Sequence, residues 1–199
     1  MTLVLASGSP RRRRLLRQIG LVFEVEVPTV DETRRPDEAP GEYVVRLARD
    51  KAMTVAGPGR VVLSADTTVL FAGQILGKPE HPEEARAILR RLQGEHHEVL
   101  TGVCAVGWDG GPVIRSVVDV AEVELLPMTE VEITDYVATG EPMDKAGAYA
   151  LQGAGARFVK AVRGSPYTVV GLPLHLVPAL LEGVGMVVPV CPPVDPDAG

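Results

Sequence analysis

The sequence predicts an α/β fold built around a mixed β-sheet, as three observations indicate. The N-terminal half alternates strand and helix patterns in the order β-α-β-α-β, which is typical of α/β domains. Two long strand-like runs follow, joined by Trp108-Asp-Gly-Gly111, a turn typical of an antiparallel hairpin. No internal repeat or clear linker interrupts the 199 residues. The pattern therefore favours a single domain.

The N-terminal segment predicts a strand, a helix and a second strand. The apolar run 2–7 indicates a short buried strand, and Gly8-Ser9-Pro10 supplies a turn, an N-cap serine and a proline at the first helical position. A helix is then expected over 10–19. Alternating apolar and acidic residues over 23–27 indicate a half-exposed strand, and the charged segment 28–41 is predicted as a loop.

Two amphipathic helices flank the next predicted strand. Apolar residues recur at the helical period over 42–55 and again over 82–92. Between these helices, 61–71 is predicted as a strand that the polar segment 64–68 interrupts. Ala72-Gly73-Gln74 then turns the chain back in a hairpin.

The remaining elements alternate between strands, a capped helix and loops. Strands are predicted over 97–107 and 113–126, and Thr129 with Glu132 forms a capping box for a helix that Gly140 closes. The last predicted elements are a strand over 158–162, a loop over 164–173 and a helix over 174–181. The domain is expected to span 1–183, followed by a Pro-rich tail over 184–199.

Composition and charge narrow the class of protein. The formal net charge of −6 argues against a nucleic-acid binder, which would need excess Lys and Arg to bind phosphates. Five arginines nevertheless fall between Arg11 and Arg17, and such a local basic cluster suits a small anion. No apolar run has membrane-spanning length and no signal peptide is evident, so we expect a cytoplasmic protein. No disulfide is expected between Cys104 and Cys191.

The strongest local signal is the turn between the first strand and the first helix. A helix N-terminus has free backbone N–H groups and a partial positive charge, and Arg11 and Arg12 would add bidentate donors, so phosphate is the natural ligand. The turn is not a Walker A loop, because no Gly-Lys-Ser/Thr follows. The alternative, a solvated helix face, fits Arg13, Arg14 and Arg17 better.

Asp66 and Lys51 are charged residues in apolar surroundings. Asp66 lies within the strand 61–71, where an unpaired carboxylate would lose its hydration at large cost. A metal ion, a lysine or a catalytic water could partner it; alternatively it faces solvent at a strand end. Lys51 lies on the apolar stripe of the helix 42–55, where a lone lysine usually extends along the surface to water. Two such residues of opposite charge favour a shared polar pocket.

Weaker candidates lie in loops, where charges are usually solvated. Asp31-Glu32 stands in the long loop, and Lys78 precedes Pro79 after the hairpin. Because carboxylates are available without a Cys/His cluster, any metal would be a hard, oxygen-liganded ion such as Mg²⁺ or Mn²⁺. Adjacent His96 and His97 point to opposite faces of an extended strand, and no histidine is given a role.

The chain contains an ordered set of motifs over residues 3–182. They are Leu5-Ala-Ser-Gly-Ser-Pro-Arg-Arg12, Leu15-Leu16, Val45-Arg-Leu-Ala48, Lys51-Ala52, Ser64-Ala-Asp-Thr67, Gly77-Lys-Pro79, Thr101-Gly102, Tyr136-Val137, Asp144-Lys-Ala-Gly-Ala-Tyr149, Gln152-Gly153 and Val170-Gly-Leu-Pro173. This set resembles the Maf-like nucleotide pyrophosphatases, often labelled septum formation inhibitors. Each motif is weak alone, but the ordered set is highly specific.

This resemblance implies a two-lobed α/β fold with an elongated mixed sheet, related to the inosine triphosphate pyrophosphatases and often dimeric. It implies hydrolysis of dTTP and UTP to the monophosphate and pyrophosphate with a divalent cation (Mg²⁺, Mn²⁺ or Co²⁺). A homodimer is thus one expectation, and no nucleic-acid or membrane partner is expected. The alternative function is a non-enzymatic regulator of septum formation that binds a nucleotide or a protein.

The resemblance also implies roles for individual residues. Asp66 would be the catalytic acidic residue, and Glu32 would assist it in binding metal or water. Arg12, Thr67 and Gln152 match the positions that mark the dTTP/UTP subclass of the family and distinguish it from the 7-methyl-GTP subclass. The residues implied to bind the phosphates are Ser7, Ser9, Arg11, Arg12, Lys51 and Lys78.

Overall fold

Within residues 1–189, which the computed structural model describes, seven strands form one mixed β-sheet. The strands are β1 (Thr2–Ala6), β2 (Glu24–Glu26), β3 (Arg60–Phe71), β4 (Gln74–Leu76), β5 (His96–Trp108), β6 (Pro112–Leu125) and β7 (Val159–Arg163). Their order is β2-β1-β3-β5-β6-β7, with β4 paired to β3. β1 is parallel to β2 and β3, whereas the β3–β4 and β6–β7 pairs are antiparallel. The predicted α/β class with a mixed sheet is confirmed.

The described helices alternate with these strands as the sequence pattern predicts. They are α1 (Pro10–Gln18), α2 (Pro40–Val55), α3 (Pro82–Leu92), α4 (Glu130–Ala138), α5 (Pro166–Val170) and α6 (Val177–Glu182). Short 3-10 turns occupy Glu141–Asp144, Ala146–Ala148, Ala154–Phe158 and Leu174–Leu176. None of the helices in residues 1–189 combines the length and the apolar character needed to cross a membrane.

The chain divides into two compact units. Within the described residues, the first unit contains 1–66, 101–119 and 171–189, and the second contains 67–100 and 120–170. The core of the first unit comprises Val4, Ala6, Ala48, Ala52, Val55, Val62, Cys104 and Val106. The core of the second unit includes Leu89, Leu92, Val99, Val123, Leu125, Ile133, Tyr136, Tyr149 and Phe158.

Local capping signals start two of the helices where the sequence places them. Ser9, with an extended backbone, accepts a hydrogen bond from the Arg12 amide through its side chain at 3.5 Å. Thr129 and Glu132 form the predicted capping box, in which each side chain accepts from the other residue's amide, at 3.2 and 2.9 Å. These side chains satisfy amides that a helix N-terminus leaves without an intrahelical partner.

The predicted interruption of the strand 61–71 is wrong, because β3 is continuous from Arg60 to Phe71. Ser64, inside this strand, is fully buried and donates to the backbone carbonyl oxygen of Ala48 in α2. A buried hydroxyl with such a partner does not lose the free energy that an unpaired one would. This hydrogen bond to α2 allows a polar side chain to be buried in β3, and the periodicity of the strand sequence does not reveal it.

The structure tests one of the two predictions for the C-terminal region. The loop predicted over 164–173 contains the short helix α5, whose β-branched residues give little helical signal. Its Thr168 is buried and donates its amide hydrogen to the Ser165 carbonyl oxygen. Most of the predicted tail, residues 190–199, lies outside the described residues.

His97 is a buried histidine in the core of the second unit. Its side chain shares a 2.8 Å hydrogen bond with the Tyr149 hydroxyl, and its Nδ1 has no partner among the described residues. His96 is exposed, so the adjacent histidines point to opposite faces as predicted. Burial, with a smaller effect of His96, lowers the pKa of His97 from 6.5 to about 4. The folded protein therefore holds His97 neutral at pH 7.

We expect His97 to make folding less favourable as the pH falls from about 6.5 to about 4. Over this pH range the unfolded chain binds a proton that the imidazole of His97 does not bind in the folded protein. The free energy of unfolding therefore decreases by about 3 kcal/mol. Urea unfolding at pH 7.5, 6.5, 5.5 and 4.5 measures it. In His97→Gln, whose amide does not titrate, this part of the pH dependence should disappear. Equal slopes for the two proteins would contradict the assignment.

Candidate active site

Lys51 brings two of the candidate carboxylates together in the first unit. Its Nζ lies 2.6 Å from Asp66 Oδ1 and 2.7 Å from Glu32 Oε1. Helix α2 supplies the lysine, strand β3 supplies the aspartate, and the loop between β2 and α2 supplies the glutamate. Three residues that are distant in the sequence thus form one charged cluster, which we call the Lys51 cluster.

The burial of this cluster decides between the alternatives for Lys51 and Asp66. Their side chains are only 12% and 13% exposed, whereas that of Glu32 is 54% exposed. Lys51 does not extend along the apolar surface into water, because its ammonium group is held by Asp66. Asp66 does not face solvent freely at a strand end. The structure therefore pairs Lys51 directly with Asp66, so that each charge is the partner of the other.

The turn between β1 and α1 is organised around two serines and Arg12. Ser7 is buried, and its Oγ accepts hydrogen bonds from the Ser9 amide at 3.1 Å and from Arg12 Nη1 at 3.3 Å. Arg12 Nε also donates to the Gly171 carbonyl oxygen at 2.8 Å. The guanidinium is thus held over the N-terminus of α1, where an anion would meet both its charge and the helix dipole.

Arg12 also experiences the charge of the Lys51 cluster. Burial lowers the pKa of Arg12, and the carboxylates of Asp66 and Glu32 oppose this effect. Asp66 is the larger of these two opposing influences. Arg12 is nevertheless treated as a cation, because a guanidinium is not deprotonated in proteins.

The other arginines of α1 divide differently from the prediction. Arg11 is partly buried in the first turn, and its phosphate-binding role stays a prediction. Arg14 and Arg17 are exposed, in agreement with a solvated helix face. Arg13 does not fit that face, because it is partly buried and donates to the Gly8 carbonyl oxygen at 3.0 Å. It therefore braces the turn that precedes its own helix.

An ion pair behind the Lys51 cluster holds the loop that carries Glu32. Arg46 Nε and Nη2 lie 2.6 and 2.9 Å from the two carboxylate oxygens of buried Glu38. Arg46 also donates to the Thr33 carbonyl oxygen at 3.1 Å, and the Tyr43 hydroxyl donates to the Glu32 carbonyl oxygen at 3.0 Å. Hydrogen bonding from Arg46 holds the pKa of Glu38 at about 2. The loop is thereby fixed to α2 beside Lys51.

Sequence reasoning assigned no role to Glu38, Tyr43 or Arg46. The available signal was Arg46 itself, an arginine between Val45 and Leu47 on an amphipathic helix. Its partner Glu38 lies in a charged loop, where a carboxylate is normally solvated. Only the folded chain shows that the two charges form a bidentate pair.

The three remaining candidates belong to the second unit. Thr67 follows Asp66 along β3 and is partly buried. Lys78 is exposed after β4, and Gln152 is exposed in the segment between two 3-10 turns. Their roles stay predictions from the resemblance.

We expect Lys51→Ala to lower kcat/KM for dTTP, a substrate that the resemblance implies, by about 10²-fold, the cost of losing one group that stabilises developing charge. The charge of Lys51 would be lost from the neighbourhood of Asp66, while the apolar packing of α2 would stay. Steady-state kinetics and melting temperature should be measured together. Lys160→Ala is the matched control, because Lys160 pairs with Glu124 at an exposed site. A lowered melting temperature with unchanged kcat/KM would show that Lys51 is only structural.

Comparisons with known proteins agree with the ordered motifs. Residues 2–184 match the family described as Maf-like protein. The dTTP/UTP pyrophosphatase of Anaeromyxobacter dehalogenans (strain 2CP-C) is 51% identical over 193 residues, covering 94% of this chain and 96% of the relative. The dTTP/UTP pyrophosphatase of Symbiobacterium thermophilum is 46% identical over 185 residues, covering 92% and 94%.

A solved structure, the Staphylococcus aureus Ham1 protein, aligns with 92% of this chain and 99% of its own, at 15% sequence identity and a TM-score of 0.47. The family match covers nearly the whole chain, and close relatives of similar length share about half of its residues. The chain therefore belongs to the Maf-like protein family.

Proposed function

We propose that this protein hydrolyses dTTP and UTP to the nucleoside monophosphate and pyrophosphate. The observation that carries the proposal is the Lys51 cluster, in which a largely buried lysine holds Asp66 and Glu32 within 2.7 Å of one nitrogen. A cluster of this kind suits a polyphosphate substrate, which needs cations for its charge and a carboxylate for proton transfer. Relatives named dTTP/UTP pyrophosphatase support the choice of nucleotide.

Asp66 is assigned the role of general base. Its carboxylate orients a water molecule and accepts its proton as the water oxygen bonds to the α-phosphorus. The bond from that phosphorus to the bridging oxygen breaks, and pyrophosphate leaves with the bonding electrons. A positioned base of this kind contributes about 10²- to 10⁴-fold to the rate.

The basic groups are assigned to the negative charge of the triphosphate. Arg12 and the amides at the start of α1 bind phosphate oxygens, and Ser7 and Ser9 shape the turn that presents them. Lys51 holds Asp66 in place and neutralises charge near the reacting phosphate. Arg11 and Lys78 are assigned to the same chain of phosphates on the basis of the resemblance. Positioning and electrostatics supply most of the rate enhancement in such a site.

The residues present fit a divalent cation that the substrate helps to hold. Residues 1–189 contain no group of three or more His, Cys, Asp or Glu side chains placed to hold a metal by themselves. Mg²⁺ commonly uses one or two carboxylates together with substrate phosphates, and Asp66 and Glu32 supply such a pair. We therefore assign Asp66 and Glu32 as ligands of Mg²⁺, Mn²⁺ or Co²⁺. When bound, the cation would neutralise phosphate charge and polarise the phosphoryl oxygens.

The proposed partner is the nucleoside triphosphate itself. A homodimer, a cytoplasmic location and the absence of nucleic-acid and membrane partners remain predictions from composition and resemblance.

Product analysis tests the proposed reaction directly. The pure protein is incubated with dTTP or UTP and each of Mg²⁺, Mn²⁺ and Co²⁺, and the products are separated by ion-exchange chromatography. Nucleoside monophosphate and pyrophosphate in equal amounts are expected. Release of a diphosphate with orthophosphate would contradict attack at the α-phosphorus. Intact triphosphates under every condition would favour a non-enzymatic regulator instead.

A further inference from the structure

A single carboxylate fastens the segment that carries Gln152. Glu141 lies just after α4, and its carboxylate accepts three hydrogen bonds within the second unit. Its Oε2 receives one from the Tyr136 hydroxyl at 2.8 Å and one from the Gly155 amide at 2.9 Å, and its Oε1 receives one from the Ala154 amide at 3.0 Å. Both oxygens of this side chain are therefore committed to holding other parts of the chain.

Tyr136 extends the same network to the other end of the segment. Its hydroxyl donates to Glu141 and accepts from the Ala150 amide at 3.1 Å. Residues 150–155, which we call the Gln152 loop, are thus held before Gln152 at Ala150 and after it at Ala154 and Gly155. The Gln152 side chain is exposed between these fixed points.

Two glycines let the loop approach the network closely. A Cβ on Gly153 would overlap Glu141 Oε1, and a Cβ on Gly155 would overlap the Tyr136 hydroxyl oxygen. Gly153 also has a φ of 121°, which residues with a side chain rarely adopt. The Gly-Ala-Gly sequence that follows Gln152 is therefore explained by this contact.

The network requires an ionised carboxylate. Burial would raise the pKa of Glu141, but the hydrogen bonds from Tyr136, Gly155 and Ala154 outweigh it and lower the pKa. An amide in place of the carboxylate has one acceptor oxygen and one donor group. Glutamine at this position would therefore oppose its own NH₂ group to a backbone N–H of the loop.

We propose that Glu141 is a positioning residue that fixes the Gln152 loop and so determines nucleotide selectivity without touching the nucleotide. The inference rests on the proposed function, in which Gln152 selects the base. It assigns a specificity role to a residue outside the Lys51 cluster, and it explains why Glu141 and Tyr136 contact both ends of the Gln152 loop.

A double-mutant cycle tests the inference. The ratio of kcat/KM for dTTP to kcat/KM for 7-methyl-GTP is measured for the wild type, Glu141→Gln, Gln152→Ala and the double variant. Glu141→Gln should lower the ratio by about 10- to 100-fold, the cost of misplacing a substrate-binding group by about 1 Å, mainly through KM for dTTP. In the Gln152→Ala background the same change should leave the ratio within about 2-fold. Glu83→Gln, at an exposed site on α3, is the control for lost charge.

Several outcomes would overturn the proposal. Additive effects of the two substitutions would mean that Glu141 does not act through Gln152, and an unchanged ratio in Glu141→Gln would mean that it does not affect selectivity. If Glu141→Gln fails to fold, Tyr136→Phe replaces it, since this variant loses the hydroxyl and keeps the ring. A smaller change in the same direction is then expected, and an unchanged ratio again counts against the proposal.

Hydrogen exchange separates this inference from the proposed function. The amides of Ala150, Ala154 and Gly155 should exchange at least 10-fold faster in Glu141→Gln than in the wild type. Ala154 and Gly155 donate to Glu141 directly, and Ala150 donates to the Tyr136 hydroxyl that Glu141 holds. A wild type that hydrolyses neither dTTP nor UTP would refute the proposed function alone, because hydrogen exchange would still show whether Glu141 holds the Gln152 loop. Identical exchange in the two proteins would refute the positioning role of Glu141 itself.

Discussion

Asp66→Asn is expected to lower kcat for dTTP by at least about 10²-fold, the lower limit for a positioned general base. The substitution keeps the shape of the side chain, and its amide oxygen can still accept a hydrogen bond from Lys51. The amide has no appreciable basicity and is a poor ligand for a hard cation, so both assigned roles of Asp66 are lost. Initial rates of pyrophosphate release measure the effect.

The control for this substitution is Asp135→Asn, an exposed position on α4 with the same chemical change. It should keep the wild-type rate. Circular dichroism and melting temperature establish that both variants are folded. A folded Asp66→Asn protein with near-normal kcat would remove Asp66 from the mechanism, whatever the control shows.

The second large effect concerns the choice of nucleotide. We expect the wild type to hydrolyse dTTP and UTP much faster than dATP, ATP, GTP or 7-methyl-GTP, with Arg12, Thr67 and Gln152 responsible for much of the difference. Thymine and uracil present a carbonyl, N–H, carbonyl edge, which needs donors and an acceptor together. A glutamine amide supplies both, whereas an ionised glutamate only accepts. A site that leaves its polar groups unpaired against the wrong base can reject it by up to about 10⁴-fold.

Gln152→Glu should therefore reduce dTTP and UTP hydrolysis and lower the ratio of dTTP to 7-methyl-GTP turnover. Gln152 is a cleaner probe than Thr67, which adjoins Asp66 and whose replacement would disturb catalysis as well. Gln74→Glu adds the same charge at an exposed position on β4 and should leave the ratio unchanged. A wild type that prefers a purine nucleotide, or an unchanged ratio in Gln152→Glu, would contradict the assignment.

The secondary structure was predictable wherever neighbouring residues determine it. Helix α3 occupies the predicted range 82–92, and Thr129 caps α4 as predicted. Apolar periodicity and capping side chains act over three or four residues, so the sequence displays them directly. The predictions were wrong where the deciding contact was distant. Ser64 does not break β3, because the carbonyl group of Ala48 on α2 satisfies its hydroxyl.

The sequence by itself determined the α/β class and, through the ordered motifs, the family. Only the tertiary structure decided which charges share a site. Lys51 and Asp66 meet because α2 packs on β3, whose parallel pairing with β1 sets the register, and Arg12 reaches a carbonyl 159 residues away. Such contacts depend on the whole chain path, and a buried charge looks the same in sequence whether its partner is water or a carboxylate.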